Sequence, residues 1–221
     1  TLWAWGNNVK GQLGDGTTID RSSPVQIGAL TTWTETSSDG NVTASVATDG
    51  TLWTWGDCSG GLCGLGNGTR YSSPKQVGAL TTWATVSVGW AHTLATQTDG
   101  TLWAYGKNTA GQLGLGNTTS PYSSPVQVGA LTTWLAAAAG RYFSMAIKTD
   151  GTIWSWGSNN TGQLGINNTT YKSSPVQVGA LTTWLSTSLS TGHGNTGAIL
   201  TSGQLYCWGN NFQGTLGDGT G

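Results

Sequence analysis

Apolar and polar positions along this chain alternate in short bursts that restart about every 50 residues. In residues 2–5, Trp3 and Trp5 fall on one side and Leu2 and Ala4 on the other, the two-residue period of a strand with an apolar layer against each face. Three further β-prone stretches follow at 24–27, 33–38 and 42–48, divided by turn residues, and none shows a helical period. The segment SSPVQ, then Val or Ile, then GALTTW returns almost unchanged at 22–33, 72–83, 123–134 and 173–184, so the chain is one unit copied in tandem. The copies are 1–50, 51–100, 101–151 and 152–203, followed by a partial fifth, 204–221.

The links between units are Asp49-Gly50, Asp99-Gly100, Asp150-Gly151 and Ser202-Gly203, dipeptides suited to a tight hairpin, so consecutive units join without a crossover helix. Where Gly16, Gly66, Gly116 and Gly219 recur, the fourth copy has Asn167, the other residue that tolerates a left-handed backbone, which points to a conformational requirement. Four-stranded, aromatic-rich units in tandem predict an all-β fold, a β-propeller of about 50-residue blades, with an open β-solenoid as the alternative. Four units and part of a fifth are expected to be a portion of a larger ring. Beginning without Met inside a strand pattern and stopping mid-unit, the chain reads as part of a longer polypeptide.

Composition narrows the function. Of 221 residues only 8% are charged, but the 13 Trp at regular positions supply a large core. A net charge of −1, with eight Lys plus Arg placed singly, leaves no footprint for a phosphate backbone, so no nucleic-acid partner is expected. No apolar run approaches the roughly 18 residues of a membrane span, so no membrane insertion is expected. The three Cys do not recur with the repeat. Cys58 and Cys63 read equally as a small-loop disulfide or as two small hydrophobes in a Gly-rich loop.

With two His, one Glu and eight Asp, most of them in turns, the chain has no nucleophile, base and orienter set, and His92-Thr93 reads as a hydrogen-bonded inner-strand pair. No catalytic residue, cofactor or metal site is assigned. Asp15, Asp57 and Asp218 lie near glycines, but most equivalent positions are Leu or Ile, so a calcium-ligand set does not repeat.

Comparison of copies separates positions the fold dictates from those it leaves free. One variable set precedes each Ser-Ser-Pro and includes Arg21, Tyr71, Tyr122 and Tyr171. The other follows the Gly before the fourth strand, where Gly40, Trp90, Arg141 and His193 share a slot and Tyr142 follows Arg141. Equivalent slots of a propeller form a ring on one face, and Trp, Arg, Tyr and His around a ring suit a protein or carbohydrate surface.

The composite W-x-W-G-x-N-x-x-G-Q-L-G-x-G, then S-P-x-x-V, then W and a later G-x-x-H-[ST], resembles the repeat of the regulator of chromosome condensation family across all four units and the partial fifth. That resemblance implies a propeller. The founding member's exchange activity on a guanine-nucleotide-binding protein uses an inserted wedge, and these units carry no insertion beyond one or two residues. The family's plant ultraviolet-B photoreceptor needs Gly-Trp-Arg-His-Thr in adjacent blades, and here only Trp90 matches. Near-identical copies with little charge are similar in style to repeat proteins of this family in bacteria and in marine bacteriophage virions. The expectation is therefore a non-enzymatic structural and binding scaffold, extracellular or in a virion. It would present variable loops to a protein, a surface glycan, or other virion or surface subunits. The rival is an intracellular regulatory propeller of the exchange type or another protein-interaction platform.

Overall fold

The computed structural model describes residues 1–29 and 32–220, so Leu30 and Thr31 of the first GALTTW segment and the terminal Gly221 lie outside the described residues. Strands β1 (Trp3–Gly6) and β2 (Arg21–Gln26) form a two-stranded sheet. Three four-stranded sheets follow. They are β3 (Trp33–Asp39), β4 (Val42–Ala47), β5 (Leu52–Gly56) and β6 (Tyr71–Gln76); β7 (Trp83–Val88), β8 (His92–Gln97), β9 (Leu102–Gly106) and β10 (Tyr122–Gln127); and β11 (Trp134–Ala139), β12 (Phe143–Lys148), β13 (Ile153–Gly157) and β14 (Lys172–Gln177). The last sheet holds β15 (Ser190–Thr191), β16 (Asn195–Ile199) and β17 (Leu205–Gly209). Every sheet is an antiparallel meander, the blade of a β-propeller.

The sheets are offset from the sequence units by half a repeat. Each complete blade takes its first two strands from one unit and its last two from the next, because the Asp-Gly turn joins the middle strands of a sheet. That turn also anchors the following blade. The Asp99 carboxylate accepts from the Thr101 amide at 2.9 Å and hydroxyl at 2.7 Å, while the Gly100 carbonyl accepts from the Trp134 amide at 3.0 Å. Gly100 has φ +79°, and a Cβ there would collide with the Thr132 carbonyl oxygen. Gly100→Ala is expected to remove about 2 kcal/mol of stability, from the left-handed backbone penalty and the displaced segment ahead of β11. A urea midpoint unchanged within error would show that the turn is not so confined.

First strands line the axis. The Val86 amide donates to Glu35 Oε2 at 3.1 Å, Val88 to the Ser37 hydroxyl at 2.9 Å, and Ala139 to the Ser87 hydroxyl at 3.0 Å, tying β3 to β7 and β7 to β11. The Ser-Ser-Pro strands take the outer edge, where a residue without an amide hydrogen is tolerated. Between blades the core is continuous: Leu94, Leu102 and Ala104 of one sheet pack with Trp134, Ala146 and Trp156 of the next.

A repeated joint locks blade to blade. In the Gly-x-Leu-Gly loop the Gln112 carbonyl accepts from Trp156 Nε1 at 2.8 Å and from the Ser144 hydroxyl at 2.6 Å. Gln12 does the same for Trp55 and Thr43, and Gln163 for Trp208 and Thr196. A Cβ on Gly114 would meet the Trp156 indole nitrogen at 2.8 Å, so the glycine is required by close approach. Asn167 has φ +58°, as the sequence comparison predicts.

Two local departures have clear causes. Trp184 to Gly192 is two residues longer than Trp134 to Gly140, so β15 shrinks to two residues and Trp184 pairs with Leu200 only as an isolated bridge. Cys58 and Cys63, which the sequence leaves open, form a disulfide across a Cα separation of 4.9 Å. Reducing it, or replacing both residues by Ser, is expected to lower stability by about 2 kcal/mol, the chain-entropy value for so short a loop. Thermal melts with and without reductant measure this.

Candidate functional site

The innermost hairpins all turn at one end of the blades. Gly89 donates to the His92 carbonyl, Gly140 to that of Phe143 and Gly192 to that of Asn195, each at 2.9 Å. Those bonds leave Trp90-Ala91, Arg141-Tyr142 and His193-Gly194 as two-residue tips, and pairing of Asp39 with Val42 leaves Gly40-Asn41 as the fourth. The slot singled out by comparing repeats is thus the first tip residue of successive blades.

Three of those tips meet. The Arg141 guanidinium lies 5.4 Å from the centre of the Trp90 ring and 5.6 Å from that of Tyr142. Trp90 Nε1 donates to the Tyr142 hydroxyl at 3.2 Å, fixing the two rings relative to each other. The His193 ring packs edge-on to Trp90 at 6.3 Å, although a whole blade separates their hairpins in the chain. Trp90 remains 43% exposed, a large apolar surface held in place by its neighbours. Gly40 backs it, since a Cβ there would contact the Trp90 ring at 3.9 Å.

Beside this cluster is a recess of about 140 Å³ whose lining includes Asp39, Asn41, Asp57, Trp90 and Lys107. Burial raises the Asp39 carboxyl, and the charge of His193 acts in the opposite direction. Asp57 is raised by burial too, but bonds from Ser59 and the cations Lys10 and Arg70, at 3.5 and 3.8 Å, leave it lowered on balance. Sequence reasoning passed over Asp39, yet a signal was present: it stands where the other copies have Gly89, Gly140 and Gly192.

The second predicted set does not converge. Arg21, Tyr71 and Tyr122 each open an outer-edge strand, and each is tied to its own preceding loop. Arg21 pairs with Asp15 at 2.7 Å. Burial raises Asp15, but bonds from Thr17, Arg21 and Asn8 outweigh it and bring it down to about 2. The Tyr71 hydroxyl accepts from Asn67 at 3.3 Å and that of Tyr122 donates to Asn117 at 3.4 Å. Tyr171 precedes the strand whose opening slot is Lys172, and it is exposed. Their variation reflects different ways of closing the same loop.

His92 and Thr93 are buried, as an inner-strand pair would be. His92 bonds to the Ser144 hydroxyl of the next blade at 2.7 Å, and Thr93 to the Leu62 carbonyl at 3.0 Å.

Successive four-stranded meanders around an axis, with aromatic and basic residues gathered on the tip loops of one end, define a β-propeller presenting an axial surface. The chain belongs to the regulator of chromosome condensation (RCC1) repeat family, whose repeat matches residues 1–45, 49–96, 99–147 and 150–199. It is similar to the Protein RCC2 homolog of Danio rerio, 36% identical over 96 residues, which is 43% of this chain and 19% of that protein. It is also similar to Protein RCC2 of Homo sapiens, 38% identical over 76 residues, 34% of this chain and 15% of that one. The chain therefore spans less than a fifth of these relatives' length. Among solved structures, human WBSCR16 superposes with a TM-score of 0.85 at 21% identity, over 99% of this chain and 59% of that one. Yeast RCC1 (Prp20), solved bound to Kap60, does so with a TM-score of 0.77 at 17% identity, over 90% and 49% respectively.

Proposed function

We propose that this chain is a non-enzymatic protein-interaction platform that docks a partner protein on the axial cluster of Trp90, Arg141, Tyr142 and His193. The observation that carries this reading is the convergence of side chains from three hairpin tips around a half-exposed Trp. Trp, Tyr and Arg are the residues most enriched where interfaces draw their binding energy. Rigid display suits the role, because the blade joints fix the tip loops at their bases. The fold relatives point the same way: yeast RCC1 has been solved with Kap60 bound, and a second structure of Prp20p concerns its binding to Gsp1p and histones. Exchange activity of the regulatory kind finds less support, since the repeats carry no inserted wedge.

A photo-crosslinking residue placed at position 41, the exposed tip residue beside Trp90, and used in the source cell or particle, tests the platform. Adducts of discrete mass from 41, lost on Trp90→Ala and not formed from the outer-edge position 171, are expected. Adducts that survive Trp90→Ala, or equal labelling from 171, would overturn the reading.

A second reading rests on a different observation. The Cys58–Cys63 disulfide favours an oxidising location, and with the low charge it supports display on a virion or bacterial surface, where the partner would be a glycan or another subunit. Recovery of the chain from particles or envelope with this bridge intact would favour that setting; recovery from cytosol with both thiols free would count against it.

A further inference from the structure

Arginine side chains in this fold fall into two kinds. Arg21 and Arg70 face carboxylates, Asp15 at 2.7 Å and Asp57 at 3.8 Å. Arg141 has no ion-pair partner and no hydrogen-bond acceptor among the described residues, and its Nε is buried. Buried donors of a charged group are costly to leave unmet, so Arg141 is conspicuous as the arginine left so among the described residues.

Its surroundings explain how it is held. The Trp90 and Tyr142 rings, themselves bonded at 3.2 Å, both attract the guanidinium through its contact with their π-systems. Ring contacts hold the guanidinium in place, and the N–H groups of its two terminal nitrogens form a planar fork that matches a carboxylate with two parallel bonds. We propose that Arg141 is a preformed receptor for one carboxylate side chain, an Asp or Glu presented by the partner protein. This rests on the platform reading above and names the chemistry of its partner.

The acceptor is a carboxylate and not a phosphate because two carboxylates, Asp39 and Asp57, line the recess beside Trp90 against one lysine, Lys107, so a dianion would meet more repulsion there than a monoanion.

The test uses the whole chain labelled with ¹⁵N, following the Arg141 Nε–Hε and Trp90 indole signals during titration with hexaglutamate, hexaglutamine and inorganic phosphate. Hexaglutamate is expected to move both signals saturably, with hexaglutamine and phosphate leaving them in place. Arg141→Lys keeps the charge and loses the fork, and is expected to weaken hexaglutamate binding about tenfold; Arg141→Gln should abolish it. Backbone amide spectra of both variants establish that the fold is retained. Signals unmoved by hexaglutamate, phosphate acting as strongly, or Lys binding as well as Arg would each overturn the proposal. Crosslinked adducts from position 41 that persist in Arg141→Gln would refute the carboxylate receptor and leave the platform standing. Their absence when Arg141 is retained would instead refute the platform.

Discussion

Trp156→Ala is expected to remove about 4 kcal/mol of stability, within the range for deleting a fully enclosed Trp. The indole is wholly buried between β13 and the Gly-x-Leu-Gly loop of the preceding blade, and it packs at 6.2 Å on Trp134. Its Nε1 also donates to the Gln112 carbonyl at 2.8 Å, so truncation opens a cavity and removes a blade-to-blade bond together. Trp156→Phe separates the two contributions. Phe retains most of the ring volume and lacks the donor, and Gln112 keeps the Ser144 hydroxyl at 2.6 Å, so about 1 to 2 kcal/mol should go. Tyr105 fills the same slot one blade earlier without an indole donor, and it is also wholly buried. Urea unfolding followed by circular dichroism measures both variants. Equal losses for Trp156→Phe and Trp156→Ala would mean that the bond to Gln112, and not the enclosed ring volume, carries the joint between blades.

That contrast shows what a repeat sequence can and cannot convey. Period-two alternation at Trp3 and Trp5 placed β1 to within a residue at each end, and the expected strands 33–38 and 42–48 match β3 and β4 to within a residue at most ends. The blade boundary was not legible, because a unit may be cut anywhere along its period. Only the pairing of β4 with β5 across Asp49-Gly50 shows that this turn lies inside a sheet. The axial slot was readable because Gly40, Trp90, Arg141 and His193 differ while their flanks agree. Their meeting was not, since a 6.3 Å contact between Trp90 and His193 depends on how far the blades tilt toward the axis. Variation alone groups outer-edge residues that the structure does not bring together. Arg21 with Asp15 and Tyr122 with Asn117 are alternative loop closures, which a list of variable positions cannot distinguish from a binding surface.

Platform and receptor depend on different physical layers of the molecule. Convergence at the axis depends on backbone geometry set by repeated glycines and carbonyl acceptors, so it follows from the fold. The chemistry of the partner depends on one side chain, Arg141, and on which acceptors the neighbouring blades withhold from it. A family member with the same blades and Gly in that slot, as at Gly40 here, would keep the platform and lose the receptor.

Acid should weaken this fold through one histidine. His92 is fully buried, with Nε2 2.7 Å from the Ser144 hydroxyl. Ser144 donates its own proton to the Gln112 carbonyl at 2.6 Å, so it accepts from His92, which carries a hydrogen on Nε2. Burial pushes His92 from its ordinary 6.5 down to about 3. Below pH 6.5 the unfolded chain takes up a proton that the folded chain refuses, so stability is full above that pH and falls as pH drops toward 3. The slope within this window approaches about 1.4 kcal/mol per pH unit, and the loss at pH 4 is roughly 3 kcal/mol. Other groups act elsewhere or oppositely. Asp15, lowered to about 2, gives up its contribution only between its ordinary value of 3.8 and 2, whereas Glu35, raised by burial, favours the folded chain as it protonates. His92→Gln isolates the effect, since the amide can still donate to Ser144 and cannot ionise. Its urea-derived stability should be lower than that of the unmodified chain at pH 7 and should decline far less between pH 6.5 and 4. Parallel curves for the two proteins would show that the folded chain protonates His92 as readily as the unfolded chain does, with Nε2 still donating to Ser144.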